Sequence, residues 1–191
     1  MIAIFVAELT DKDALLLLSL AARIRPWVVF AAGSIAFTIT SAIIVTVGYF
    51  LVSFVPVSLI SIAGGSVMIV YGIWSFFKAK KDELMSAERK LSRDTSKSLR
   101  AVFLSVVSLL VLLDLTGDAT EVLTILFVAR FQNTLLVFTG AVVALVSATA
   151  VETLIGNRLS KILSAKRIRI LSLFVFLIIG TIAVLTGVLH I

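Results

Sequence analysis

The sequence predicts an all-α membrane protein in which six transmembrane helices form two inverted three-helix repeats. Three observations carry this. Of the 191 residues, 60% are hydrophobic, and the mean hydropathy of +1.18 is far above that of a soluble domain. The basic residues gather in short stretches between apolar runs, 15 of the 17 of them after odd-numbered runs. The two halves also align: at an offset of 107 residues Asp11 falls on Asp118, Ala22-Arg23 on Ala129-Arg130, Gly33 on Gly140 and Thr40 on Ser147. One further residue of offset brings Gly72 onto Gly180. Leu and Val align with anything, but matched Asp, Arg and Gly do not.

The first span is predicted over 1–22. Its apolar stretch Ala14–Ala22 is only nine residues, bounded by Asp13 and Arg23, whereas a bilayer core needs about 20. It spans only by starting near Met1 and carrying Glu8, Asp11, Lys12 and Asp13 inside. Spans two (27–53) and three (56–77) are continuous apolar runs, with Pro26 and Pro56 at their starts, where a missing N–H is harmless. Span four (101–128) repeats the squeeze: Ala101–Leu113 and Val122–Ala129 are each too short, and Asp114, Asp118 and Glu121 lie between them. Spans five (132–157) and six (168–190) complete the set. The division is 1–77 for the first repeat, 78–100 for a basic loop and 101–191 for the second, inverted repeat. Lys78–Arg100 carries eight bases and four acids and reads as a solvated linker, with a surface helix over Asp82–Leu91 as the alternative.

Charge sets the orientation. The loops after spans one, three and five hold 15 of the 17 Lys and Arg residues, leaving Arg130 on the other side and Lys12 within the membrane. The positive-inside bias makes the basic side cytoplasmic and puts both termini outside. It also explains the net charge of +6 without nucleic acid. No basic region precedes the first apolar residues, so they do not read as a cleaved signal peptide. With no cysteine, disulfides, thiolate metal sites and redox motifs are excluded.

The chemistry lies in the intramembrane charges, which are expensive and mark ion or proton pathways. Glu8, Asp11 and Lys12 are spaced three and four residues apart and share a helix face, so Lys12 neutralises one carboxylate internally. Asp13 points away from Glu8. Asp114, Asp118 and Glu121, spaced four and three, form a stripe of carboxylates with no cation on their helix. Such a stripe persists only if partly protonated or compensated by a bound cation, so protons and metal compete for the same oxygens. An oxygen-only ligand set favours hard ions such as Ca²⁺, Mg²⁺ or Mn²⁺. The bland alternative, acids that pair with Lys12 or cap broken helices, leaves two acidic clusters at equivalent depth unexplained.

The stretch Ala7-Glu8-Leu9-Thr10-Asp11-Lys12-Asp13 resembles the signature E-x-G-D-K-[ST] of the GDT family, cation/proton exchangers allied to the lysine-exporter superfamily. That family carries the signature on the first and fourth of six helices in inverted halves. Its known members are linked to Golgi and chloroplast Ca²⁺ and Mn²⁺ handling. The second copy here is Leu115-Thr116-Gly117-Asp118-Ala119-Thr120, between Asp114 and Glu121. Copy one has Thr10 for Gly and Asp13 for Ser/Thr; copy two has Leu115 for Glu and Ala119 for Lys. The resemblance implies metal ligands at Glu8, Asp11 and Asp118, with Thr120 as a hydroxyl ligand. Asp114, Glu121 and Asp13 are added from spacing and burial alone.

Other polar residues are weaker signals. Glu152 lies toward the inner part of span five, near Ser147 and Thr149 and equivalent to Val45, and is a candidate for proton transfer beside Lys12 and Asp13. Thr38, Thr40 and Ser41 are candidate pathway liners. His190 is expected to be solvated, Trp27 and Trp74 interfacial, and Gly33, Gly140 and Gly64-Gly65 to allow close helix contact. No nucleophile elbow, P-loop or HExxH is present, so no enzyme is expected. The reading is a secondary transporter exchanging Ca²⁺ or Mn²⁺, with Mg²⁺ open, for protons at a midplane carboxylate site, needing no cofactor. Its partners are the cation, protons and the lipid bilayer, with homo-oligomerisation left open and a prokaryotic cytoplasmic membrane expected. A passive cation channel and a non-transporting scaffold built on the basic loop are the rivals.

Overall fold

A computed structural model describes residues 2–9, 12–77, 99–115, 119–155 and 165–189, and all regular structure among these is helical. The described helices are α1 Ile2–Leu9, α2 Lys12–Arg23, α3 Pro26–Phe54, α4 Val57–Phe77, α5 Leu99–Asp114, α6 Ala119–Phe131, α7 Thr134–Ala150 and α8 Ala165–Val188. A single π-helical turn, Val151–Ile155, continues α7. Residues 78–98 of the basic stretch, with the candidate surface helix over Asp82–Leu91, and His190 lie outside the described residues.

Helices α3, α4, α7 and α8 fall where continuous apolar sequence predicts them. Among the described residues three stretches are long and apolar enough to cross a bilayer: Pro26–Phe54, Val57–Trp74 and Thr134–Leu154. A fourth arises if the pair Arg100–Asp114 and Ala119–Phe131 is one broken span, bent by 65°. The expectation of a single straight helix over 101–128 is therefore corrected: it is two helices, with Asp114 closing the first and Glu121 in the first turn of the second. The backbone groups freed at such helix ends persist at membrane depth only inside protein or along a cavity. Within the span expected over 1–22 lie α1 and α2.

Local chemistry sets the other boundaries. Arg25 takes an extended conformation before Pro26, and its carbonyl accepts from Val28 N at 2.9 Å and Val29 N at 3.3 Å. At the far end of α3, Pro56 disfavours helical geometry in Val55, which is extended at φ −118° and ψ 130°. After α6, Gln132 adopts the left-handed φ of 51°, and Asn133 then caps α7 by accepting from Leu136 N at 3.0 Å. Asn133→Ala is expected to cost about 1 kcal/mol, read as a lowered unfolding midpoint in detergent.

Helix α3 runs through the centre. Its stripe Val29, Ala32, Gly33, Ala36, Phe37, Thr40, Ser41, Val45 and Gly48 is buried against α5, α6 and α7. Small residues set that approach: a Cβ on Gly33 would lie 2.9 Å from Thr149 Cγ2 of α7 and 3.3 Å from Leu17 Cδ2 of α2. Helices α4 and α8 make the most extensive contact among the described helices. They run antiparallel, with Ile62 beside Gly187, Gly65 beside Gly180, and Gly72 beside Phe176. The outward residues are also apolar, among them Ile39, Ile43, Val47 and Phe50 on α3 and Phe174, Ile178, Ile182 and Leu185 on α8. An apolar face this extensive belongs against lipid, and the chain is an integral membrane protein.

Candidate functional site

The break between α5 and α6 positions the site. Asp114 is the last residue of α5, while Thr120 and Glu121 open α6. The α6 N-terminus brings the positive end of its dipole there, which favours the first-turn carboxylate of Glu121. One turn on, Thr124 donates from Oγ1 to Thr120 O at 2.8 Å. From α3, Thr40 and Ser41 come across, and all six side chains are buried. With Ile44 and Leu145 they line a cavity of about 10 Å³. That is room for one water-sized occupant.

The structure thus brings together Asp114, Thr120 and Glu121 of the residues singled out by sequence. Glu8, 1% exposed near the end of α1, is buried on a helix that packs on α6 and α7 and does not line this cavity. Glu152 is fully buried in the π turn, against α2, α3 and α7, and neither of its carboxylate oxygens makes a hydrogen bond. Its neighbours Thr149 and Thr153 instead donate to the backbone, to Leu145 O at 2.8 Å and Thr149 O at 2.6 Å. Lys12 and Asp13 open α2, and Asp11 and Asp118 lie outside the described residues. Among the described residues no three of the His, Asp and Glu side chains converge on one point. The cavity's donors are therefore two carboxylates supplemented by hydroxyls, a set suited to a hard cation.

Of the three pathway candidates on α3, Thr40 and Ser41 line the cavity and Thr38 does not; its hydroxyl donates to Ser34 O at 2.6 Å. Thr124 was missed by sequence reasoning, although it continues the stripe of 114, 118 and 121 by three more residues.

A model of the family described as divalent cation/proton antiporter GDT1 matches residues 1–83 and 102–190. The chain belongs to the GDT1 family. No curated protein and no solved structure matches it. Membership in GDT1 makes this a chain of a family of transporters, not enzymes, whose substrates are divalent cations and protons. The two matched blocks leave out only the region of the basic stretch and the last residue, so both clusters of motif acids lie within the GDT1 match.

Proposed function

We propose that this GDT1-family chain exchanges Ca²⁺ or Mn²⁺ for protons by alternating access, with a cation site where the broken pair α5–α6 meets α3. The observation that carries the reading is the cavity itself: Asp114, Glu121 and buried hydroxyls around a space of one water's size, at a helix break. The fold reading that goes with it is six spans in two inverted repeats, α1 and α2 forming the first and the bent pair α5–α6 the fourth. In this arrangement Glu8 and Asp11 face Asp118 and its neighbours across a pseudo-two-fold near the midplane. A cation arriving at these oxygens displaces their protons, and rocking of one half against the other exposes the site to the opposite side. The basic loops lie in the cytoplasm and both termini outside.

The test uses the full chain in liposomes with a pH dye inside, to which Ca²⁺, Mn²⁺ and Mg²⁺ are added in turn. Proton movement that requires a divalent ion and is lost in Asp118→Asn is the expected result. Ion uptake without a proton signal would make the protein a channel. Unaltered exchange in Asp118→Asn would remove that residue from the site.

A further inference from the structure

Resting on this exchanger reading, we propose that Ser41 is a direct oxygen ligand of the transported cation, and that the ion sits in the cavity stripped of its water shell. Ser41 is 4% exposed and lines the cavity with Asp114, Thr120 and Glu121, yet its Oγ makes no hydrogen bond. Hydroxyls in membrane helices ordinarily donate to the carbonyl one turn back. On α3 itself Thr38 does so to Ser34 O at 2.6 Å, Thr46 to Ala42 O at 2.6 Å and Ser53 to Tyr49 O at 3.0 Å. The carbonyl in that position for Ser41 is Phe37 O, and Thr40 takes it at 3.3 Å. A buried hydroxyl without a partner is costly to keep. Here it borders a space in which an ion between two carboxylates would need further oxygens.

The size of that space says what state the ion is in. About 10 Å³ holds one water or one bare ion, not an ion with its hydration shell. Protein oxygens must therefore replace that shell. With no three acids converging among the described residues, neutral oxygens must complete the set. Ca²⁺ accepts a mixed set of carboxylate and neutral oxygens, whereas Mg²⁺ dehydrates reluctantly and usually keeps several waters. The site accordingly discriminates against Mg²⁺.

Because the chain has no cysteine, Ser41→Cys introduces a lone thiol of nearly the same shape at the proposed ligand position. A thiolate ligand prefers soft metals, so Cd²⁺ is the probe. Cd²⁺ titrated into the purified full-length variant in detergent is expected to give a thiolate-to-metal ultraviolet absorption absent from wild type and abolished by excess Mn²⁺. In liposomes Ser41→Ala should raise the KM for Mn²⁺ about tenfold while Ser41→Thr stays near wild type. Absence of the absorption in an S41C protein that still exchanges Mn²⁺ for protons would overturn Ser41 as a ligand and leave the exchanger reading intact. Conversely, the Cd²⁺ absorption in S41C beside a wild type that moves no protons with Ca²⁺ or Mn²⁺ would keep the ligand and overturn the exchange. If S41C does not fold, the KM values of Ser41→Ala and Ser41→Thr decide: a tenfold gap supports the ligand and equal values reject it.

Discussion

Asp114→Asn is expected to slow cation-driven proton release at least about a hundredfold while leaving the protein folded. Asp114 ends α5 with 4% of its surface exposed and lines the cavity together with Glu121. Asparagine keeps the volume and one carbonyl oxygen but removes the negative charge. Opposite unit charges about 4 Å apart at an effective dielectric near 20 attract by about 4 kcal/mol, close to three decades in affinity. Relaxation of the remaining oxygens gives part of that back, which leaves roughly two decades. The loss should fall on KM for the cation, and the unfolding midpoint in detergent should stay close to wild type. Exchange within twofold of wild type would mean that the cation binds elsewhere.

How much of this was legible in the sequence differs from helix to helix. For α3, α4 and α7, long apolar runs bounded by Pro, Asn or basic residues admit one reading, and the helices lie where hydropathy puts them. The break between α5 and α6 did not read as a break. Ala101–Leu113 looks like half of a span, and hydropathy cannot tell a continuous helix carrying charge from two helices meeting at it. The distinction belongs to backbone hydrogen bonding, which leaves no periodic trace. The π turn over Val151–Ile155 was invisible for the same reason, since a single i to i+5 turn shifts no recognisable pattern.

The site was legible in its acids and ambiguous in its hydroxyls. The acids stand out because repulsion among buried carboxylates demands an explanation that Leu and Val do not. Spacings of three and four, however, assumed one continuous helix, whereas Asp114 and Glu121 reach one cavity from two helices that meet at a bend. Thr38, Thr40 and Ser41 look alike as residue types. What separates them is helical phase: Thr40 and Ser41 continue the buried stripe through Gly33 and Phe37, while Thr38 lies off it and bonds its own backbone. Their phase relative to Gly33 is present in the sequence, but which face of α3 meets α6 is a tertiary fact.

The largest stability loss is expected at the crossing of α4 and α8. A Cβ on Gly180 would lie 2.7 Å from Gly65 O and 3.1 Å from Ile69 N, and one on Gly65 would lie 2.6 Å from Gly180 O and 2.9 Å from Val184 N. Backbone atoms cannot swing aside as a side chain does, so either alanine forces the two helices apart. Separation loosens the packing on both sides of the crossing, including the edge-to-face contact of Tyr71 and Phe176, whose ring centroids are 5.5 Å apart. Gly180→Ala should therefore cost about 3 kcal/mol, the upper part of the overpacking range, measured by reversible unfolding in detergent. Gly64 supplies the contrast: its added Cβ would meet the Leu126 side chain, Cδ2 at 2.9 Å and Cγ at 3.1 Å, rather than backbone, so Gly64→Ala should cost less than Gly180→Ala. Because one separation relieves both clashes, Gly65→Ala combined with Gly180→Ala should cost clearly less than the two single changes together. Strict additivity would show that the helices yield locally at each glycine rather than moving apart as rigid bodies.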